Sequence, residues 1–370
     1  MIPISKPTIT RADIDAVIKT LKSGNLAQGE RVKEFENKFA TYIKTEHAVA
    51  VSNGTSALQA ALTSLNLRGE DEVITTPFSF IASSNAILFA NARPIFADVN
   101  LDDFNLNVGE VEKKITKNTK AILVVHLFGQ SADMAPILKL AKNKRLIVVE
   151  DACQSHGAMY KTQLVGGIGH IGCFSFYPTK NMTTGEGGMV TTNSKKLYEK
   201  MLLYRNHGQQ VRYYHNTLGY NFRMTDISAS LGVSQLNNLE SNIKKRIRNA
   251  QYLTKHLSKI EGIITPTTLK GRRHVYNQYT LRITKGSPVS REDLTEKLSA
   301  QGIGYGIYYP VIIPNQALYK KMGYTANFPN ANKLTSEVLS LPVHPGVTRK
   351  NLDRIISVIR KAVKDDNKKK

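Results

Sequence analysis

The first 240 residues alternate between short apolar runs of strand length and segments with helical periodicity. Seven runs are predicted to be strands: residues 48–51, 71–75, 93–97, 121–125, 146–149, 173–176 and 188–192. Helices are predicted between them, for example over residues 55–65, 81–90 and 134–143. This alternation predicts an α/β fold with a mostly parallel sheet covered on both faces. Because ligands bind such sheets at the carboxyl ends of the strands, the residues that follow the strands form the candidate site.

A second domain is predicted after this region. Residues 227–258 show one long helical pattern, with apolar side chains spaced along a single stripe. This helix is expected to link a large domain, residues 1–240, to a smaller C-terminal α/β domain, residues 241–370. In the smaller domain a strand is predicted over residues 278–283, and helices over residues 290–301 and 349–363.

Lys180 and Asp151 are the strongest candidates for chemistry. Asp151 directly follows a predicted strand, and Lys180 follows another after a turn that contains proline. An amine can hold the aldehyde of pyridoxal phosphate (PLP) as a Schiff base, and a carboxylate can keep the pyridine nitrogen protonated, so that the ring accepts electrons. Either residue alone would more simply be a buried acid or a solvated lysine. Together with the motifs described next, the pair predicts a PLP site.

Residues 52–58, Ser-Asn-Gly-Thr-Ser-Ala-Leu, are a candidate anion site. They follow a strand and open a helix, so backbone N–H groups and the helix dipole point to one spot, and the glycine permits close approach. Thr55 and Ser56 add hydroxyl groups, and Ser175 could reach the same phosphate. The alternative is an ordinary capped helix start. Residues 167–172 match GxGxxG, but they precede a strand, so a loop is predicted there instead of a dinucleotide site.

Cysteine content and hydropathy indicate the compartment. Cys153 and Cys173 have apolar neighbours and no CxxC spacing, so we expect buried core residues in a reducing environment and no metal framework built on them. No stretch approaches the roughly 18 uncharged residues of a membrane span, and the first residues lack a signal-peptide pattern. A cytoplasmic location without membrane partners is therefore expected.

The net charge of +22 is concentrated toward the C-terminus, where residues 241–370 carry 25 Lys and Arg against 8 Asp and Glu. Such a surface could attract nucleic acid or steer a phosphorylated substrate. Solvated helix faces and a lysine-rich tail would give the same composition. Because no nucleic-acid motif accompanies the basic clusters, nucleic acid is not the favoured partner.

Several segments together resemble the DegT/DnrJ/StrS family of sugar aminotransferases. The resemblance extends over residues 6–347 and is carried by residues 21–29, 52–57, 77–80, 126–134, 150–157, 173–188 and 219–224. It implies the PLP-dependent transferase fold of type I, with a large domain around a mostly parallel sheet and a smaller C-terminal α/β domain.

The resemblance also implies roles for the residues around the cofactor ring. Lys180 would form the Schiff base with PLP, and Asp151 would pair with the pyridine nitrogen. Gln154 would bond the ring hydroxyl oxygen, and Phe80 would stack on the ring and fix its plane.

At the cofactor phosphate, the resemblance implies contacts from Thr55, Ser56 and Ser175. Asn221 would reach this phosphate from a second subunit, which would make the active site a property of a homodimer. A turn residue is the alternative reading of Asn221. The phosphate contacts would keep PLP in place whenever Lys180 is displaced.

The reaction implied by the resemblance transfers an amino group, usually from glutamate, to a keto sugar of a nucleoside-diphosphate sugar. Lys180 would be both anchor and general base, which requires a neutral amine. Tyr308 stands where the family often has histidine, so the sugar contacts are left open. His344 matches a family position near the sugar or caps a turn, and Arg223 could meet a carboxylate, a diphosphate or a structural acid.

Alternatives stay open at this stage. The chain could be a sugar dehydratase of the same family, although that activity is associated with histidine in place of Lys180. It could act on a cyclic ketone such as scyllo-inosose. From a different class, it could be a regulator or nucleic-acid-binding protein that has kept the fold and lost the chemistry.

Overall fold

The structure is a computed structural model that describes residues 1–367. The helices are α1 (Arg11–Ser23), α2 (Glu30–Ile43), α3 (Gly54–Thr63), α4 (Ala82–Phe89), α5 (Val108–Lys113), α6 (Met134–Lys144), α7 (Lys195–Arg205), α8 (Asp226–Leu257), α9 (Arg291–Ala300), α10 (Ala317–Lys321), α11 (Pro329–Glu337) and α12 (Arg349–Asn367). The strands are β1 (His47–Val51), β2 (Glu72–Thr75), β3 (Arg93–Phe96), β4 (Thr119–Val125), β5 (Ile147–Asp151), β6 (Met159–Tyr160), β7 (Gln163–Leu164), β8 (Ile171–Ser175), β9 (Gly188–Thr192), β10 (Gln209–Val211), β11 (Tyr214–His215), β12 (Ile263–Ile264), β13 (Arg272–Arg273), β14 (Tyr279–Ile283) and β15 (Val338–Leu341).

The central sheet has seven strands in the order β1-β9-β8-β5-β4-β2-β3. Each of the seven predicted strand segments overlaps one of these strands, and the predicted mostly parallel α/β sheet is confirmed. Strand β9 is the exception, because it pairs antiparallel with both of its neighbours. Every residue of β9 is buried. An apolar run of this kind gives no signal for strand direction.

Helices cover both faces of the sheet, as β1 illustrates. Val49 and Val51 join an apolar cluster beneath α3, whereas Ala48 and Ala50 join a cluster beneath α2. Successive side chains of a strand point to opposite faces, so a continuous apolar run is what a strand covered on both sides requires.

The long helix α8 contributes to two apolar clusters. Its first half places Leu239 and Ile243 beside Phe39 under the sheet. Its second half places Leu253 and Leu257 in the cluster formed by the C-terminal elements. The predicted domain boundary between residues 240 and 241 falls within this helix, and the division into 1–240 and 241–370 stays a prediction.

The C-terminal elements form a small α/β unit around the antiparallel sheet β12-β14-β15. Leu298 of α9 and Ile355 of α12 pack on this sheet. The segment between β14 and β15 also packs against the carboxyl edge of the central sheet, where Ile312 and Tyr319 join Phe78 and Phe128. No helix within residues 1–367 combines the length and apolar character needed to cross a membrane.

Candidate active site

A cavity of about 750 Å³ lies at the carboxyl ends of β1, β4, β5 and β8. This is the edge at which the strand pattern predicted a ligand site. Eight of the eleven predicted site residues line the cavity: Thr55, Ser56, Phe80, Asp151, Gln154, Ser175, Lys180 and Tyr308. Asn221, Arg223 and His344 do not line it.

Asp151 is the last residue of β5, and its carboxylate is held from two sides. Oδ2 accepts a hydrogen bond from Ser83 Oγ at 2.7 Å, and Oδ1 accepts one from the backbone N–H of Cys153 at 3.2 Å. Asp151 is 5% exposed and lines the cavity. Because these contacts fix its orientation, Asp151 offers a preorganised acceptor to a ligand.

Lys180 lies in the turn after β8, where its backbone N–H donates to Tyr177 O at 2.9 Å. The side chain is partly exposed and lines the cavity, and burial lowers the pKa of Lys180, while nearby Cys153 and Asp151 oppose that shift. Desolvation disfavours the ammonium form, so this amine is more readily neutral than a lysine in water.

The start of α3 combines both alternatives that the sequence left open, a capped helix and an anion site. Ser56 N–H donates to Asn53 Oδ1 at 2.9 Å, and Ser56 Oγ donates to Asn53 O at 2.8 Å. The Ser56 hydroxyl is thus engaged in the cap, whereas the positive end of the helix faces the cavity. A Cβ on Gly54 would lie 2.6 Å from Ser175 Cβ, so glycine is required for α3 to approach β8.

Gln154 connects the cavity to the C-terminal elements. Its Oε1 accepts from Phe128 N–H at 2.9 Å, and its Nε2 donates to Tyr309 Oη at 3.1 Å. Burial raises the pKa of Tyr309 and of the adjacent Tyr308, and both tyrosines line the cavity.

Sequence reasoning missed Tyr309 and Ser83. Tyr309 is adjacent to the position that was singled out, but its partner Gln154 is 155 residues away in the chain. Ser83 belongs to the short apolar helix α4, and a serine on such a helix has no distinctive spacing. Cys153 was expected to be a buried core residue, but it is partly exposed and lines the cavity, whereas Cys173 is buried as predicted.

Three predicted site residues lie outside this chain's cavity. Asn221 is exposed, and its backbone pairs with Asn206. Arg223 Nη1 donates to Asn206 Oδ1 at 2.6 Å. His344 sits in a turn with Nε2 3.1 Å from Pro3 O, and burial lowers its pKa. The turn alternative for His344 therefore fits its position.

Residues 167–170 of the GxGxxG segment form a loop, as predicted, and its last two residues begin β8. Backbone N–H groups of this loop and of the preceding Gly166 bind a buried carboxylate. Gly166 N–H donates to Glu150 Oε2 at 2.8 Å. Ile168 and Gly169 donate to Glu150 Oε1 at 2.8 and 2.6 Å. The segment holds the residue before Asp151 and does not line the cavity.

The side chains present fit PLP. A lysine amine, an oriented carboxylate and the positive end of a helix meet in one cavity, and these groups match an aldehyde, a pyridine nitrogen and a phosphate. Phe80 is 57% exposed although it is a large apolar ring, and it lines the same cavity. An aromatic ring left uncovered here can stack on a planar ligand.

Comparison with known proteins identifies the family. The model of the DegT/DnrJ/EryC1/StrS aminotransferase family matches residues 7–360. The chain belongs to this family. GDP-perosamine synthase of Caulobacter vibrioides is 35% identical, with 97% of each chain covered. UDP-N-acetyl-3-dehydro-alpha-D-glucosamine 3-aminotransferase of Acidithiobacillus ferrooxidans is 36% identical, with 93% of this chain and 92% of that protein covered.

A solved structure supports the fold and the cofactor. Spr1654 from Streptococcus pneumoniae, in its PLP form, has a TM-score of 0.93, 27% identity and 99% coverage of both chains. The predicted fold of a PLP-dependent transferase is confirmed, and so is the predicted class of enzyme, a PLP-dependent sugar aminotransferase. The roles of individual site residues stay predictions.

Proposed function

We propose that this aminotransferase moves an amino group from L-glutamate to the keto carbon of a nucleoside-diphosphate sugar. The observation that carries the proposal is the meeting of Lys180, Asp151 and the start of α3 in one cavity. The two relatives named above are a GDP-perosamine synthase and a 3-aminotransferase of a UDP-linked sugar, which supports a nucleotide-sugar acceptor. The product would be an amino sugar for a surface polysaccharide or glycoconjugate.

Different cavity residues would hold different parts of the cofactor. PLP, when bound, supplies a ring that accepts electrons from the reacting carbon. Asp151 would hold the ring nitrogen and Gln154 the ring hydroxyl, while Phe80 would cover the ring face. Thr55 and Ser175, together with the start of α3, would hold the phosphate.

Lys180 would be the group that moves the proton. Because burial lowers its pKa, a neutral Nζ is available to take a proton from the α-carbon of the donor amino acid. The same Nζ would pass that proton on within the first half-reaction and so become neutral again, and it would carry out the transfer in reverse when the acceptor sugar takes the amino group.

Tyr308 is the one predicted sugar-side residue that reaches the cavity, where it is partly exposed. Its ring and hydroxyl would contact the acceptor sugar where the family often has histidine. Arg223 and His344 lie elsewhere in this chain, so their proposed substrate contacts would depend on a second subunit or on rearrangement.

We further propose a homodimer in which Asn221 of one chain completes the cavity of the other. Asn221 is exposed and lies after the hairpin β10-β11. Large apolar side chains near it are also left open to solvent: Val211, Tyr213, Tyr214 and Leu218. Large apolar side chains left open to solvent along one hairpin and the loop after it favour a protein contact.

Glutamate-dependent turnover tests the reaction. UDP-, dTDP- and GDP-linked keto sugars are offered in parallel, and amino sugar formation is followed by mass spectrometry. Borohydride reduction and peptide mapping should place the pyridoxyl group on Lys180, and Lys180→Ala should abolish turnover, whereas Lys161→Ala, an exposed control, should not. A label on another lysine would refute the assignment.

Mixed subunits test the shared site. Lys180→Ala and Asn221→Ala chains are each expected to be inactive or impaired, but a hybrid dimer would contain one site with both native residues. Activity should therefore return on mixing and exchange. Hybrids that stay as impaired as the parents would exclude a contribution of Asn221 across the interface.

A further inference from the structure

A second large cavity lies at the opposite edge of the central sheet. It has a volume of about 830 Å³ and forms where β4, β5 and β8 begin and β9 ends. Five basic side chains and one acidic side chain line it: Lys120, Arg145, His170, Lys196, Lys200 and Asp71. We refer to it as the basic cavity.

The acidic side chain does not neutralise the basic ones. Asp71 Oδ2 accepts from Arg68 N–H at 2.8 Å, and Asp71 Oδ1 is 3.7 Å from Lys120 Nζ. Within residues 1–367, Arg145, Lys196 and Lys200 form no ion pair. The basic cavity therefore carries an excess of positive charge, which attracts an anion.

Helix α7 brings like charges together at this cavity. Lys196 and Lys200 are one helical turn apart, and Lys200 Nζ donates to Ser64 O at 2.9 Å. Burial and the charge of Lys196 lower the pKa of Lys200. Like charges at this spacing destabilise a helix, and a bound anion would relieve the repulsion. Ser194 and the start of α7 also line the cavity and add the positive end of a helix dipole.

The other residues that line the basic cavity indicate what kind of ligand would fit it. His170 Nδ1 accepts from Val148 N–H at 3.0 Å, which leaves Nε2 as the donor available to a ligand. Apolar side chains complete the wall: Leu65, Leu67, Ile147 and Leu197. A volume of this size is typical of sites for small organic ligands.

We propose that the basic cavity binds a small phosphorylated ligand of nucleotide size, with its phosphates on Lys196, Lys200 and Arg145. This site is separate from the candidate active site, because the two cavities lie at opposite ends of β5 and β8. The inference goes beyond the proposed transamination and does not depend on it.

Isothermal titration calorimetry tests the proposal: the holoenzyme is titrated with UDP, with pyrophosphate and with uridine at one ionic strength. UDP and pyrophosphate should reveal a class of sites that is lost in Lys196→Gln/Lys200→Gln, with a dissociation constant raised at least about tenfold. Arg145→Gln, on a different element, should weaken the same sites. Lys195→Gln is the matched control, since Lys195 is on α7, pairs with Glu199 at 4.0 Å and lies outside the cavity. Basal transamination should stay unchanged in all of these variants.

The outcomes separate the sources of the anion. Equal affinities for UDP and pyrophosphate would show that the phosphates alone are recognised. A higher affinity for UDP would show that the apolar wall also contacts the nucleoside. Uridine alone should not bind. If the double variant and Lys195→Gln give the same binding isotherms for UDP and pyrophosphate, the proposal is wrong. So would tight binding of an oligodeoxynucleotide without saturable binding of UDP or pyrophosphate. Because no turnover is needed, failure of the proposed reaction would leave this test intact.

Discussion

Glu150→Gln should destabilise the protein through the loop that precedes β8. The Glu150 carboxylate is fully buried and accepts four hydrogen bonds. Oε2 accepts from Gly166 N–H and from His126 Nε2, each at 2.8 Å, and Oε1 accepts from the N–H groups of Ile168 and Gly169. His126 Nδ1 accepts a backbone N–H, so Nε2 is its donor. Glutamine keeps only one oxygen, so two of these donors must face an NH₂ group.

The loss can be converted to a melting temperature. Each buried donor without an acceptor costs about 1–3 kcal/mol, so the variant should lose about 2–6 kcal/mol. An unfolding entropy of about 2.1 cal/mol/K per residue gives about 0.8 kcal/mol/K for this chain, which corresponds to a decrease of about 3–8 °C in Tm.

Circular dichroism at one fixed PLP concentration provides the assay, because a bound ligand shifts Tm by mass action. Glu112→Gln, at an exposed position of α5, is the matched control. If the two variants melt within about 1 °C of each other, the carboxylate does not hold the loop and the reasoning fails.

Three further perturbations address the site and its surroundings. Asp151→Asn should lower kcat/KM for glutamate-dependent turnover by about 10²–10³, and an unchanged rate would contradict its role. Burial, with a smaller effect of Lys180, lowers the pKa of His156 to about 3, so the unfolded state binds more protons between about pH 3 and 6.5. Stability should therefore rise with pH in that window, and His156→Asn should flatten the dependence of Tm on pH. Equal slopes of Tm against pH in the native protein and the variant would contradict the role of His156. Gly54→Ala should weaken PLP binding by about 1–3 kcal/mol in a fluorescence titration. Gly69→Ala, where an added Cβ would meet only Asn91 Oδ1 at an ordinary contact distance of 3.9 Å, should match the native protein.

The elements that sequence predicted best are those with local signals. Strand β5 begins with apolar residues and ends at Asp151, and α3 begins after Asn53, whose side chain accepts from the N–H three residues on. Such signals depend on neighbours within one turn or one strand. They place Asp151 and Lys180 after strands, and the parallel sheet then brings both to one edge.

Contacts between distant parts of the chain could not be predicted in the same way. Tyr309 reaches Gln154 only because the segment before β15 packs on the carboxyl edge of the sheet. His344 Nε2 meets Pro3 O across 341 residues. Neither contact leaves a periodic pattern, so the sequence could indicate neither the tyrosine that binds Gln154 nor the position of His344 outside the cavity.

Glu150 and Asp151 show how one strand can serve stability and chemistry at once. Neighbouring side chains of a strand point to opposite faces, so the two carboxylates have different surroundings despite adjacent positions. Glu150 is saturated by four donors and has no remaining role in ligand binding. Asp151 accepts from Ser83 and Cys153 and still lines the cavity. Because the two side chains point to opposite faces of β5 and have no hydrogen-bond partner in common, the effects of Glu150→Gln and Asp151→Asn should separate. Glu150→Gln should lower Tm with little loss of turnover below its melting range, and Asp151→Asn should lower turnover with little loss of Tm.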